Sequence, residues 1–163
     1  MPVRLTDDEI AQLIAVRKPV SSDLASWAKL RSKRGHDERD FTVTADDGSE
    51  FRVYLRQSRY NRLDFSVILA YRIPGSTEWF RLRRYNGRHG EHSNKIEGGA
   101  PFYAYHVHTA TERYQELGMD EDGYAEPTDR FSDLQSALQC MLQECGFEVP
   151  KVTQRGLFDE ELQ

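Results

Sequence analysis

Four of the five histidines in this chain fall in one stretch: His89, His92, His106 and His108. Histidine is the side chain that exchanges protons and binds transition metals near neutral pH. His89 and His92 lie in a glycine-bounded turn, residues 87–99. His106 and His108 are two apart in the alternating run Tyr103-Ala-Tyr-His-Val-His-Thr109. A period of two puts both imidazoles on one face of a strand.

Two chemistries fit these residues. The first is cleavage of an RNA phosphodiester without a metal or other cofactor. It needs a base for the 2′-hydroxyl proton, an acid for the leaving 5′-oxygen and cations for the phosphate. His106 and His108, or one of them with His89, would serve as acid and base. Arg81, Arg83 or Arg84 would stabilise the phosphate charge. Tyr85, Tyr103 or Tyr105 would stack on a base, and His89 and Asn94 would position the substrate. The second chemistry is metal binding. Four imidazoles can hold zinc, nickel or copper, three with an open position can activate water, and Glu91 and Glu97 are close enough in sequence to join. Each feature also has a plain structural explanation: a strand histidine pair bonded to its neighbours, and a solvated glycine-rich turn. Gly87, Gly90, Gly98 and Gly99 do not form a phosphate loop, because the strand–loop–helix frame and the Lys-Ser/Thr pair are missing.

The elements that would carry these side chains are legible in part. Thr6-Asp7-Asp8-Glu9 is a capping box, followed by the helical stripe Ile10, Leu13 and Ile14. Pro19 should stop that helix near Lys18. Residues 22–30 fit either a helical turn or a strand start, and 29–39 reads as a charged loop. Strand patterns then dominate: 41–44 and 51–56 around the turn Asp46-Asp47-Gly48, then 64–73 and 79–85, then the strand around His106. In 79–85, Phe80 and Leu82 should face one way and Arg81, Arg83 and Tyr85 the other. A short helix, 111–117, should end at Gly118, and Asp120-Glu121-Asp122-Gly123 reads as an acidic turn. Ser132 to Gln135 is a second capping box before the apolar stripe Leu134, Leu138, Met141, Leu142 and Cys145, with Gly146 as the C-cap. This order implies one α+β domain over residues 1–147, an antiparallel meander of five or six strands with the N- and C-terminal helices packed on one face. Residues 148–163 should form an acidic, weakly structured tail.

Hydrophobic residues make up 38% and charged residues 30% of the chain. No apolar run approaches the ~20 residues of a membrane-spanning helix. The start, MPVRLTDDE, lacks the apolar core of a signal peptide. Cys140 and Cys145 read as reduced helix-face thiols, and a cytoplasmic location follows. Net charge is −5, unevenly spread. Residues 27–88 hold 14 Lys/Arg against 8 Asp/Glu, whereas residues 89–163 hold 5 against 15. An arginine-rich centre suits nucleic acid, and the acidic end suits a protein partner.

The pattern Arg84-Tyr85-Asn86-x-x-His89-Gly90-x-His92-x-Asn94, followed by Tyr105-His106-x-His108, resembles a group of small bacterial proteins of unknown function. Their Leu-Thr-x-x-Glu start matches Leu5 to Glu9, and the resemblance covers residues 5–147. Over residues 80–110 the chain is similar, more distantly, to TumE-type toxins of toxin–antitoxin pairs. Those carry an acidic residue between the aromatic residue and the asparagine, where Asn86 here follows Tyr85 directly. The likeness implies a small sheet-based domain and, through the second match, a ribonuclease-like toxin or defence component. The expectation is thus an RNA-directed protein. The alternative is a non-catalytic nucleic-acid- or protein-binding module, inhibitor- or antitoxin-like, with or without a histidine-ligated metal.

Overall fold

A computed structural model describes residues 4–20 and 31–150. Helix α1 (Asp7–Ala15) starts on the capping box: Thr6 Oγ1 accepts from the Glu9 amide and Glu9 reaches back to the Thr6 amide. It ends three residues earlier than Pro19 alone requires, because Lys18–Pro19 forms a short strand, β1. The chain then builds β2 (Arg31–Lys33), β3 (His36–Thr44), β4 (Glu50–Ser58), β5 (Phe65–Arg72) and β6 (Trp79–Asn86). After these come β7 (His92–Asn94), β8 (Gly98–Phe102), β9 (His106–Thr109), α2 (Glu112–Glu116), β10 (Tyr124–Pro127), α3 (Leu134–Glu144) and β11 (Phe147–Glu148). Residues 22–30, which fitted helix or strand equally, lie outside the described residues, as does the tail beyond 150.

The main sheet is antiparallel and has seven strands, in the order β10-β9-β6-β5-β4-β3-β2. That corrects the expected five or six. The charged segment read as a loop supplies β2 and the start of β3, paired through Arg31↔Glu38 and Lys33↔His36. Alternating charges hide a strand when both of its faces are wet. β7 and β8 form a separate hairpin, and β1 pairs with β11 in parallel, at the start of the presumed tail. The α3 cap is Asp133, whose carboxylate accepts from the Ser136 amide, rather than Ser132 with Gln135.

The alternating residues Phe51, Val53, Leu55, Phe65, Val67 and Leu69 are buried, and Leu138 and Met141 of α3 join them in one core. α3 lies against β5 and β6, and α1 touches β6. Phe131 meets the rings of Phe65, Tyr85 and Tyr105.

One irregularity decides what the other face presents. Between β5 and β6 the register shifts: Ala70 faces Arg81, but Leu69 faces Arg83, so Leu82 is an extra residue. A bulge of this kind reverses the facing of everything beyond it. Arg83 and Tyr85 therefore turn to the core side, opposite Leu69 and Val67, while Arg84 and Asn86 turn to the other, opposite Ile68 and Ser66. Strict alternation assigned Arg81, Arg83 and Tyr85 to one face, and the bulge separates them.

Candidate metal centre

β9 lies beside β6 with His108 opposite Arg84 and His106 opposite Asn86. Both imidazoles thus project from the face that the bulge gives to Arg84. The β7–β8 hairpin folds over this end of the sheet and adds His92. The three rings converge: centroids are 4.9 Å apart for His106 and His108, 4.8 Å for His92 and His108, and 5.5 Å for His92 and His106. One ring nitrogen from each lies within 4.8 Å of those of the others. Three nitrogens bound to one ion at about 2.1 Å sit about 3.4 Å apart in a tetrahedral arrangement, so the rings need draw in by roughly an ångström. His106 and His108 are buried and His92 is half-buried. Phe102 packs against His92 and His106 and walls one side.

The hydrogen bonds fix which nitrogen each ring offers. His106 Nδ1 lies 2.8 Å from the Ala104 carbonyl, and His108 Nδ1 lies 2.7 Å from the Asp122 carbonyl. A carbonyl only accepts, so both Nδ1 atoms carry the proton and both Nε2 atoms keep a lone pair. The Asn94 amide is oriented by β10: its Nδ2 donates to the Ala125 carbonyl at 2.8 Å and its Oδ1 accepts from the Ala125 amide at 2.8 Å. Its Oδ1 therefore also accepts from His92 Nε2, 2.9 Å away, and His92 keeps its lone pair on Nδ1. All three rings donate outward and hold a basic nitrogen for the cluster. Metal-ligating histidines are held in this way, with the second nitrogen bonded to a carbonyl or carboxylate.

Burial pushes His106 below its ordinary pKa, with further lowering from His92, Arg84 and His89 against the pull of the Ala104 carbonyl. Burial, followed by the charge of Arg84, pushes His108 down to about 2. Both stay neutral at physiological pH, the form that ligates metal. The same neutrality works against a histidine acid–base pair, which needs one imidazolium to protonate a leaving group.

Behind the cluster stands Asp122, fully buried. Its carboxylate is 3.1 Å from Arg84 Nε and 3.5 Å from Arg81 Nη2. These are ion-pair contacts without hydrogen-bond alignment, since both Asp122 oxygens and Arg84 Nε make no hydrogen bond among the described residues. Burial raises the Asp122 carboxyl, outweighing the two arginines. Gly123 follows it because a Cβ there would stand 2.6 Å from the Tyr114 ring. A cavity of about 330 Å³ opens beside the cluster, lined by His92 and His108 together with Arg84, Glu91, Lys95 and Tyr114, among others.

The remaining expected site residues fall elsewhere. His89 is exposed and sits 3.4 Å from Asp64, outside the three-ring cluster. Tyr85, expected to bind substrate, is fully buried and donates to Glu144 at 2.7 Å, so it cannot meet one. Arg83 joins Tyr85 Oη at 3.2 Å and Glu144 at 3.6 Å on the core side. Arg81 binds the acidic turn, its amide donating to Glu121. Tyr105 stacks on Phe65 with the Arg88 guanidinium over its ring. Asn94 belongs to the centre, but as a clamp on His92 rather than a substrate contact. Glu97 is taken by Arg113 and Tyr114. Asp122 was read only as part of an acidic turn: nothing local separates it from the acids beside it. Among the described residues no helix is long and apolar enough to cross a membrane.

No family model matches the chain, and no curated protein or solved structure matches it significantly. The functional reading therefore rests on the side chains themselves.

Proposed function

We propose that this protein binds one divalent first-row transition ion through His92, His106 and His108. The observation that carries this reading is three imidazoles with one nitrogen from each within 4.8 Å, each ring also bonded through one nitrogen to an oxygen that can only accept. Three imidazoles suit zinc, iron, copper or nickel. Three protein donors leave a position for solvent or substrate, which distinguishes reactive from purely structural zinc sites. The adjoining cavity gives that position an approach from outside. The centre is therefore of the reactive kind, polarising a bound oxygen. A ribonuclease-like activity resting on His106 and His108 as acid and base is the weaker reading, because both rings are held neutral. RNA cleavage that persists after complete chelation, and that is lost in His106→Ala, would restore it.

Elemental analysis of the purified full chain tests the metal reading. One zinc, iron, copper or nickel per chain is expected, removed by a chelator and regained on dialysis against the metal salt. Uptake by the His106→Ala/His108→Ala double variant equal to that of the original chain would refute it.

A further inference from the structure

Arg84 is held in an unusual way for a guanidinium lining a cavity. Its carboxylate partner among the described residues is the fully buried Asp122, 3.1 Å from Nε without hydrogen-bond alignment. A guanidinium whose ion pair is made at Nε can still offer its two terminal nitrogens to a second acid. Arg84 lines the same cavity as His92 and His108 and stands directly across from His108 in the β6–β9 ladder. Directly opposed residues have Cβ atoms about 5 Å apart, so an ion on His108 and the fork of Arg84 can reach one small ligand together. Lys95 adds a second positive charge to the lining.

The lining also limits what can enter. Glu91 and Asp120 sit on the same cavity, and Asp120 lies 3.7 Å from Arg81. Their charge opposes a dianion such as phosphate more than a monoanion. A volume of about 330 Å³ is at the small end for ligand pockets. Resting on the metal reading above, we propose that the site takes a small carboxylate-bearing molecule, one carboxylate oxygen reaching the ion and the other the terminal nitrogens of Arg84.

Cobalt(II) loaded into the full chain gives visible bands that report its coordination. Acetate, glycolate and inorganic phosphate are titrated in turn. The two carboxylates are expected to change the bands with saturation, and phosphate to bind more weakly. Arg84→Gln should weaken acetate about 10- to 100-fold, the worth of a charge-assisted pair, with cobalt still bound one per chain. Arg84→Lys, which keeps a cation beside Asp122 but loses the fork, should fall between. Unchanged acetate affinity in both variants overturns the proposal, as does phosphate binding more tightly than acetate. Loss of cobalt itself in both variants would assign Arg84 to building the centre, and would also overturn it. Cobalt that never binds the original chain defeats the metal reading instead, and this inference with it.

Discussion

Two buried polar knots lie on opposite faces of the seven-stranded sheet, and they differ in whether they are complete. On the core side, Lys18 is fully buried, and its ammonium donates to the carbonyls of Ile14, Val16 and Cys145 at 2.8, 2.9 and 2.7 Å. Three donors meet three acceptors, with the Phe51 ring 4.6 Å from Nζ. The acceptors end α1 and α3, so one side chain caps two helix C-termini. Gly146 allows that approach, since a Cβ there would stand 2.4 Å from the Val16 carbonyl. On the other face, three clustered imidazoles spend one nitrogen each on an outside oxygen and keep one lone pair each. The first knot is closed and explains itself as structure. The second is left with unspent acceptors, which are costly in a buried place unless a cation joins them.

Four experiments sharpen or break that contrast. The largest effect is expected in the open knot: replacing either His106 or His108 by alanine should weaken metal binding more than about 100-fold, beyond the loss seen for outer partners. A metal titration of each variant followed by calorimetry checks this, and retained affinity would mean that these rings are structural. Lys18→Met should give the next largest effect, on stability instead. It strands three carbonyls, two of them buried, at about 1–3 kcal/mol each, so an unfolding free energy lower by at least about 3 kcal/mol in a denaturant titration is expected, with metal stoichiometry intact. Burial also pushes the Lys18 ammonium down to about 8. Asn94→Ala releases His92 and the β10 edge together and should cost about 10- to 100-fold in metal affinity. An Asn94→Ala protein that binds as tightly as the original would show that the clamp is incidental.

The fourth test is a pH dependence of the metal-free protein. His106 and His108 are depressed in the fold relative to the ordinary 6.5. Below that value the unfolded chain takes up protons that the folded chain refuses. Their stabilisation is therefore present above pH 6.5 and lost as pH falls toward the folded values, about 2 for His108. The expected slope is up to about 1.4 kcal/mol per pH unit for each ring. Denaturant titrations at pH 7, 6 and 5 check it. A flat profile, unaltered by His108→Gln, would mean that the rings are not buried as described.

The histidines announced themselves in the sequence because their type is rare and their spacing simple. Period two placed His106 and His108 on one face, and their rings do share one. His92 could not be separated from His89 by spacing, since the hairpin decides which of the two folds over β9. The strand order from β3 to β6 was equally legible, because apolar alternation is strong there. Tyr85 and Arg83 went to the wrong face for a reason no periodicity carries: one extra residue at Leu82 reverses everything after it. Lys18 and Asp122 were invisible for a related cause. A lone charge in sequence looks solvated, and only contacts made across the fold, Lys18 to Cys145 and Asp122 to Arg84, bury it.

X-ray absorption at the metal edge of the zinc-loaded chain tests the central claim most directly. Three imidazole nitrogens at about 2.0–2.1 Å, joined by an oxygen, are expected. A spectrum with sulfur neighbours, or with one imidazole or none, would contradict a centre built from His92, His106 and His108.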